Sequence, residues 1–201
     1  MLFNNHTFNQ RYNLSISGGG KVARYYVSAA YNKDNGIIKM DKRNNFNNNI
    51  SINKFVLRSN VNINVTKTTE LIVRLHGAFD DYSGPLDGGS ALYKKSMHAN
   101  PVLFQPYYQP DEANQYAKHI LFGNYDEGQY SNPYADMVKG YQEYSRSTML
   151  AQFEAKQNLD FITKGLSVRA LFNVNRYSKL GNSHSYNPFY YSYSCLLYTS
   201  P

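Results

Sequence analysis

Sorted by parity, long stretches of the chain separate into an apolar file and a polar one. From Phe55 to Val65 the odd positions read Phe55, Leu57, Ser59, Val61, Ile63 and Val65. The even positions between them read Val56, Arg58, Asn60, Asn62 and Asn64. Leu71, Val73, Leu75, Gly77 and Phe79 oppose Ile72, Arg74, His76, Ala78 and Asp80 in the same way. Met149, Ala151, Phe153 and Ala155 oppose Gln152, Glu154, Lys156 and Asn158, and Leu159 and Phe161 resume the apolar file. Leu166, Val168, Ala170, Phe172 and Val174 oppose Ser167, Arg169, Asn173 and Asn175, with Leu171 as an exception. Earlier, Tyr12, Leu14 and Ile16 alternate with Asn13, Ser15 and Ser17, and Tyr25, Val27, Ala29 and Tyr31 with Arg24, Tyr26, Ser28 and Asn32. Successive strand side chains point to opposite faces, so the pattern predicts six two-faced β-strands.

The connections alternate between short and long. Gly18-Gly19-Gly20 joins the first two strands, a run suited to a tight hairpin that accepts positive φ. Thr66-Lys67-Thr68-Thr69 joins the third and fourth, and Ile162-Thr163-Lys164-Gly165 the fifth and sixth. The remaining links run from about Lys33 to Asn53, from Asp81 to Ser145, and onward from Lys179. All short links then lie at one end of the sheet and all long ones at the other. Compact soluble domains rarely hold so long a link, whereas outer-membrane barrels pair short periplasmic turns with long extracellular loops.

Strand length points the same way. A spanning strand needs about 9–11 residues, while soluble strands average about 5–6. The expected fold class is all-β, an antiparallel transmembrane barrel portion of about six strands. Its apolar file would meet lipid, with Tyr31, Phe55, Phe79 and Phe161 placed for interfacial aromatic girdles. The inner file would hold Arg24, Arg58, Asn60, Asn62, Arg74, His76, Gln152, Glu154, Lys156, Arg169 and Asn173. A soluble or surface-attached β-sandwich that binds carbohydrate also alternates, and is the competing architecture. Six strands cannot close a barrel, since small ones use about eight. The expectation is therefore a piece of a larger barrel, over residues 1–193, with plug and signal peptide outside it.

Composition narrows this further. The 201 residues carry a net charge of +7, with 20 Tyr, 11 Phe, no Trp, one Cys (Cys195) and 24 Asn. A single Cys excludes a disulfide scaffold and a Cys-cluster zinc site. No apolar run is long enough for a transmembrane helix or a signal-peptide core. Basic residues are scattered, without the stripe a nucleic-acid surface needs, so nucleic acid is not an expected partner.

With the hairpins in place, the wording resembles a known family. Phe8-Asn9-Gln10-Arg11-Tyr12-Asn13-Leu14-Ser15-Ile16-Ser17-Gly18-Gly19-Gly20, then Arg24-Tyr25-Tyr26-Val27-Ser28-Ala29-Ala30-Tyr31 and Asn35-Gly36-Ile37-Ile38, resembles the early barrel of SusC/RagA-family TonB-dependent outer-membrane transporters. Phe55-Val56-Leu57-Arg58-Ser59-Asn60-Val61-Asn62 resembles a following strand of that family. The resemblance spans about residues 6–180. It implies a barrel of about 22 strands with an N-terminal plug. It also implies a SusD-like lipoprotein lid, energy from TonB–ExbB–ExbD, and import of glycans or peptides in the Bacteroidetes. No cofactor, metal or enzymatic activity is implied. The final residues, Ser194-Cys195-Leu196-Leu197-Tyr198-Thr199-Ser200-Pro201, depart from the pattern and resemble a translated adapter sequence closing a truncated frame.

Other chemistry is weaker. Ser17-Gly18-Gly19-Gly20-Lys21 lacks the upstream Gly and following Ser or Thr of a phosphate loop. His6, His76, His98, His119 and His184 show no metal-ligand spacing. Asp80, Asp81 and Asp87 fit no EF-hand, and a solvated turn is the preferred reading. No nucleophilic triad or carboxylate pair emerges. In the long loop, Tyr93, Tyr107, Tyr108, Tyr125, Tyr130 and Tyr134 are candidates for substrate or partner contact, a flat ring plus hydroxyl suiting sugars and peptides. Packing within the loop is the competing role. Asp111 would cap a short helix over 111–122.

Overall fold

The computed structural model describes residues 2–39, 43–44, 46–125 and 129–192. The expected foreign tail at 194–201, with Cys195, lies outside the described residues.

Each alternating stretch becomes a strand that runs past its pattern at the loop end. They are β1 (Gln10–Gly19), β2 (Ala23–Asn35), β3 (Ser51–Asn64) and β4 (Thr69–Pro85). Between β4 and the next long strand lie α1 (Gly88–His98), β5 (Tyr107–Tyr108), β6 (Leu121–Gly123) and α2 (Pro133–Val138). Then come β7 (Gly140–Asn158), β8 (Ser167–Ser185) and the short β9 (Tyr190–Tyr191). At the turn end the pattern overshoots: Val65 lies beyond β3, Leu166 precedes β8, and Leu159 and Phe161, read as continuing the apolar file, fall in the turn after β7, so Phe161 is not on a girdle strand. β1, β2, β3, β4, β7 and β8 form one antiparallel sheet in chain order, and β5, β6 and β9 a small second one. The large sheet is open, β1 and β8 each having one unpaired edge.

Register keeps the two files apart across all six strands. Tyr12 pairs Tyr31, Tyr31 pairs Phe55, and Phe55 pairs Phe79, so one row of four aromatic residues crosses β1 to β4. Two rows further toward the short turns, Ile16, Val27, Ser59, Leu75, Ala151 and Val174 share a row. On β7 the aromatic row holds Ser147, and the apolar file resumes at Met149. On β8 Arg176 opposes Met149, and the apolar file resumes at Val174. Slip by one residue anywhere would mix the faces, which is why alternation specifies register so strongly.

The short-turn ends drift steadily along the sheet. Gly19, the last residue of β1, shares a row with Arg24, Asn62, Ile72 and Glu154. Yet β7 runs on to Asn158, opposite Ser167 at the start of β8. The end has moved four residues across six strands.

The glycine run works by proximity, not by positive φ as the sequence suggests. Among the described glycines only Gly88 and Gly165 have positive φ, at 74° and 83°. A Cβ on Gly18 would stand 2.7 Å from the Tyr25 hydroxyl, and one on Gly19 2.8 Å from the Arg24 Cα. Tyr25 is the cross-strand partner of Gly18, so its ring lies where the missing side chain would be.

The hydrophobic core lies outside the large sheet. Ile38, Leu92, Phe122, Tyr134, Ala135, Met137 and Val138 form the buried cluster, with Leu2, Phe3, Ile50, Tyr107 and Ile120 packed against it. The long connection thus condenses at the loop end of the sheet. Asparagines hold it together. Asn132 Oδ1 accepts from the amides of Tyr134 at 3.0 Å and Ala135 at 3.1 Å, capping α2. Its Nδ2 donates to the carbonyls of Pro106 and Gly123, both at 2.8 Å. Asn124 bonds the amides of Tyr125 and Tyr130 and the Tyr130 carbonyl, and Asn48 donates to the Met137 carbonyl. The expected helix over 111–122 is absent. Asp111 does accept from Asn114, yet the chain makes only turns there, and Leu121 and Phe122 are buried in β6 opposite Tyr108 and Tyr107.

Candidate functional site

The polar face of the large sheet concentrates the charge of the sheet. In the strands it carries Arg11, Arg24, Lys54, Arg58, Arg74, Arg146, Lys156, Arg169 and Lys179 against Asp34, Glu70, Asp80 and Glu154. The apolar face carries only Lys33 and Arg176 against Asp81 and Glu143. Alternation has therefore sorted charge as strictly as hydropathy.

Within the polar face the charges fall into two bands. Near the short turns, Glu154 is 2% exposed and lies at the centre of three cations. Arg74 Nη1 donates to Glu154 Oε2 at 2.9 Å, while Arg169 Nε and Lys156 Nζ stand 2.6 and 3.6 Å from Oε1. Glu70 continues the network to Lys156 at 3.6 Å and Arg24 at 3.8 Å, and accepts from Asn62 Nδ2 at 3.2 Å. Toward the loops, Asp80 receives the Arg146 guanidinium, with Nε at 3.0 Å, and pairs Lys54 at 3.8 Å. Four strands (β2, β3, β4, β7) and then β8 are thereby bound across their shared face, beyond their backbone ladders.

Between the bands the face is quieter. Arg58 pairs Ser28 and His76 in register and is exposed, with no acidic partner among the described residues. Asn60, Arg74, Gln152 and Asn173 form the neighbouring row. Every residue expected on the inner file, from Arg24 to Asn173, lies on this one face. Sequence reasoning missed Lys54, Arg146 and Lys179 as members of it, since the strands extend past the alternating core of the pattern.

The three loop-side aspartates do not converge. Asp80 faces Arg146, Asp81 accepts from the Ser145 hydroxyl at 2.6 Å, and Asp87 faces Lys95 at 2.7 Å. Among the described residues no three His, Cys, Asp or Glu side chains form a metal-holding group.

The loop tyrosines divide by position. Tyr134 is buried in the loop core, against Tyr107 and Phe122, so its ring packs and offers no contact surface. Tyr107 is half-buried, bonded through its hydroxyl to Arg43 Nη2 at 2.8 Å, with the Arg43 guanidinium also 3.8 Å from its ring centre. Tyr108 is half-buried in β5. Tyr93, Tyr125 and Tyr130 are exposed, Tyr93 against Phe3 and the other two against each other. His119, which no sequence signal marks out, bonds the Tyr191 hydroxyl at 2.7 Å, stacks on the Tyr191 ring and lies tilted against Phe189.

An alternating ring of charges clasps the loop. Lys95 of α1 reaches Asp87 at 2.7 Å and Asp136 of α2 at 2.8 Å, and Lys139 reaches Asp136 at 2.6 Å and Asp87 at 3.8 Å. The Lys95 hydrogen bond holds the Asp87 carboxyl below its ordinary value. Desolvation would lower the Lys95 ammonium, but its bonds to Asp136 and Asp87 outweigh that and hold it above its ordinary value.

No model of a known protein family matches the chain, and no curated protein matches it.

Proposed function

We propose that the chain is part of the wall of an outer-membrane β-barrel, and that the barrel is a SusC/RagA-type TonB-dependent importer of glycans or peptides. In this reading a SusD-like lipoprotein meets the loop end, and TonB–ExbB–ExbD acts through a plug supplied by the rest of the polypeptide. One observation carries it: a single apolar face runs unbroken over six strands and is uncovered among the described residues, while the charges are drawn to the opposite face. Leu14, Leu57, Leu75, Phe153 and Phe172 are all more than 40% exposed, whereas Glu154 is buried. Water would not tolerate so large an apolar sheet, but lipid requires it. On β4 the apolar file from Leu71 to Phe79 extends about 27 Å at roughly 3.4 Å per residue, the span of a bilayer core. The row Tyr12, Tyr31, Phe55 and Phe79 then marks one interface. The family assignment rests on the wording of β1 to β3, and the folded loop end supplies a surface for a lid.

The test uses the full-length polypeptide in outer membranes, with any native cysteine replaced by Ser. Leu57→Cys and Leu75→Cys should react with a lipid-dissolved thiol reagent and be spared by an impermeant one. Asn60→Cys and Gln152→Cys should behave in the opposite way. A soluble polypeptide in which Leu57→Cys and Leu75→Cys are shielded from both reagents by a second sheet would instead establish the sandwich.

A further inference from the structure

We propose that the polar face binds anionic glycans, with Arg58 as the residue that takes a carboxylate. The proposal rests on the reading of that face as the inner one, and goes on to name the chemistry it handles. Nine cations face four carboxylates there, so even with every carboxylate paired an excess of positive charge remains. The pairing is uneven. Glu154 and Glu70 pair Arg24, Arg74, Lys156 and Arg169 near the turns, and Asp80 pairs Lys54 and Arg146 near the loops. Arg58 lies between the bands with no carboxylate of its own.

Its surroundings match a sugar acid. Arg58 is the shared wall of two hollows of about 310 and 400 Å3. One is completed by Asn60, His76 and Gln152, the other by Tyr26 and Ser28. Guanidinium binds a carboxylate through two parallel hydrogen bonds, amide side chains offer both donor and acceptor to ring hydroxyls, and tyrosine offers a flat face to the ring. The volumes suit single sugar units more than a protein segment. Flanking positive charge also draws a polyanion toward the surface before contact.

The experiment measures binding of trigalacturonate and of its neutral methyl ester to the full-length detergent-extracted protein by calorimetry. The acid should bind more tightly than the ester. Arg58→Gln should weaken acid binding about tenfold or more, the equivalent of one charge-assisted hydrogen bond, and leave the ester unchanged. Lys33→Gln, on the opposite face, should leave both unchanged. Cysteine accessibility at Asn60 and Leu57 is read in parallel. If those two positions label alike, the assignment of faces fails and the ligand assignment with it. If they differ as expected but acid and ester bind alike, neither binds, or Arg58→Gln has no effect, the ligand assignment alone is overturned. A site filled by an acidic polypeptide segment would give that second pattern.

Discussion

Leu75 and Asn60 differ in hydropathy, yet the more telling difference is which direction each tolerates. Leu75 lies mid-file on the apolar face and is 45% exposed, so an arginine there meets no steric obstacle in water. In the proposed barrel Leu75→Arg should cost about 2–4 kcal/mol if mid-bilayer, and Asn60→Arg little, as read by unfolding from membranes. Equal costs would contradict the facing. Asn132 makes the opposite kind of residue-level case, since its one side chain satisfies two amides and two carbonyls. Asn132→Ala should destabilise α2 by about 1–2 kcal/mol, seen as faster amide exchange at Tyr134 and Ala135. The facing of Leu75 and Asn60 was legible in the sequence because parity alone decides it. The role of Asn132 was not, because 24 asparagines look alike until the fold selects three to be buried.

At the scale of elements, strands and loop obey different rules. A strand needs only its own alternation to declare itself, and all six were readable. Their ends were not: β7 begins at Gly140 and β8 runs to Ser185, because above the aromatic row both faces are polar and no alternation remains to read. The loop elements depend on distant partners. β6 exists because Leu121 and Phe122 pair with Tyr108 and Tyr107, which competes successfully with a helix begun at Asp111. α1 and α2 are joined by the Asp87, Lys95, Asp136 and Lys139 ring. Its pH dependence follows from the shifts. Asp87 lies below its ordinary 3.8, so its contribution is present above that value and lost as pH falls through the lowered one. Lys95 lies above its ordinary 10.5, so its contribution is present below that value and lost as pH rises through the raised one. Hydrogen exchange in α1, corrected for intrinsic rate, should therefore quicken below about pH 4. Asp87→Asn should remove that acid-side change, and an unaltered profile in this variant would separate it from the clasp.

The molecule as a whole is inverted relative to a soluble domain: its sheet hides carboxylates and presents leucines. The isolated chain has two unpaired strand edges besides, so it should aggregate when expressed alone, and light scattering would register that. The drifting strand ends carry one more consequence. Four residues of drift at about 3.3 Å each, over five inter-strand steps of about 4.8 Å, give a slope of about 30°. The upper margin of the apolar file descends in the same sense, from Phe79 to Met149 to Val174. On the proposed barrel reading, a membrane surface drawn through both margins cuts the strands obliquely, as the helical pitch of a closed cylinder demands. Polarised infrared dichroism on aligned membranes should find the strand axes inclined by about 30–45° from the normal. Strands standing upright would mean that the drift is a local feature of the turns and does not set the winding of the wall.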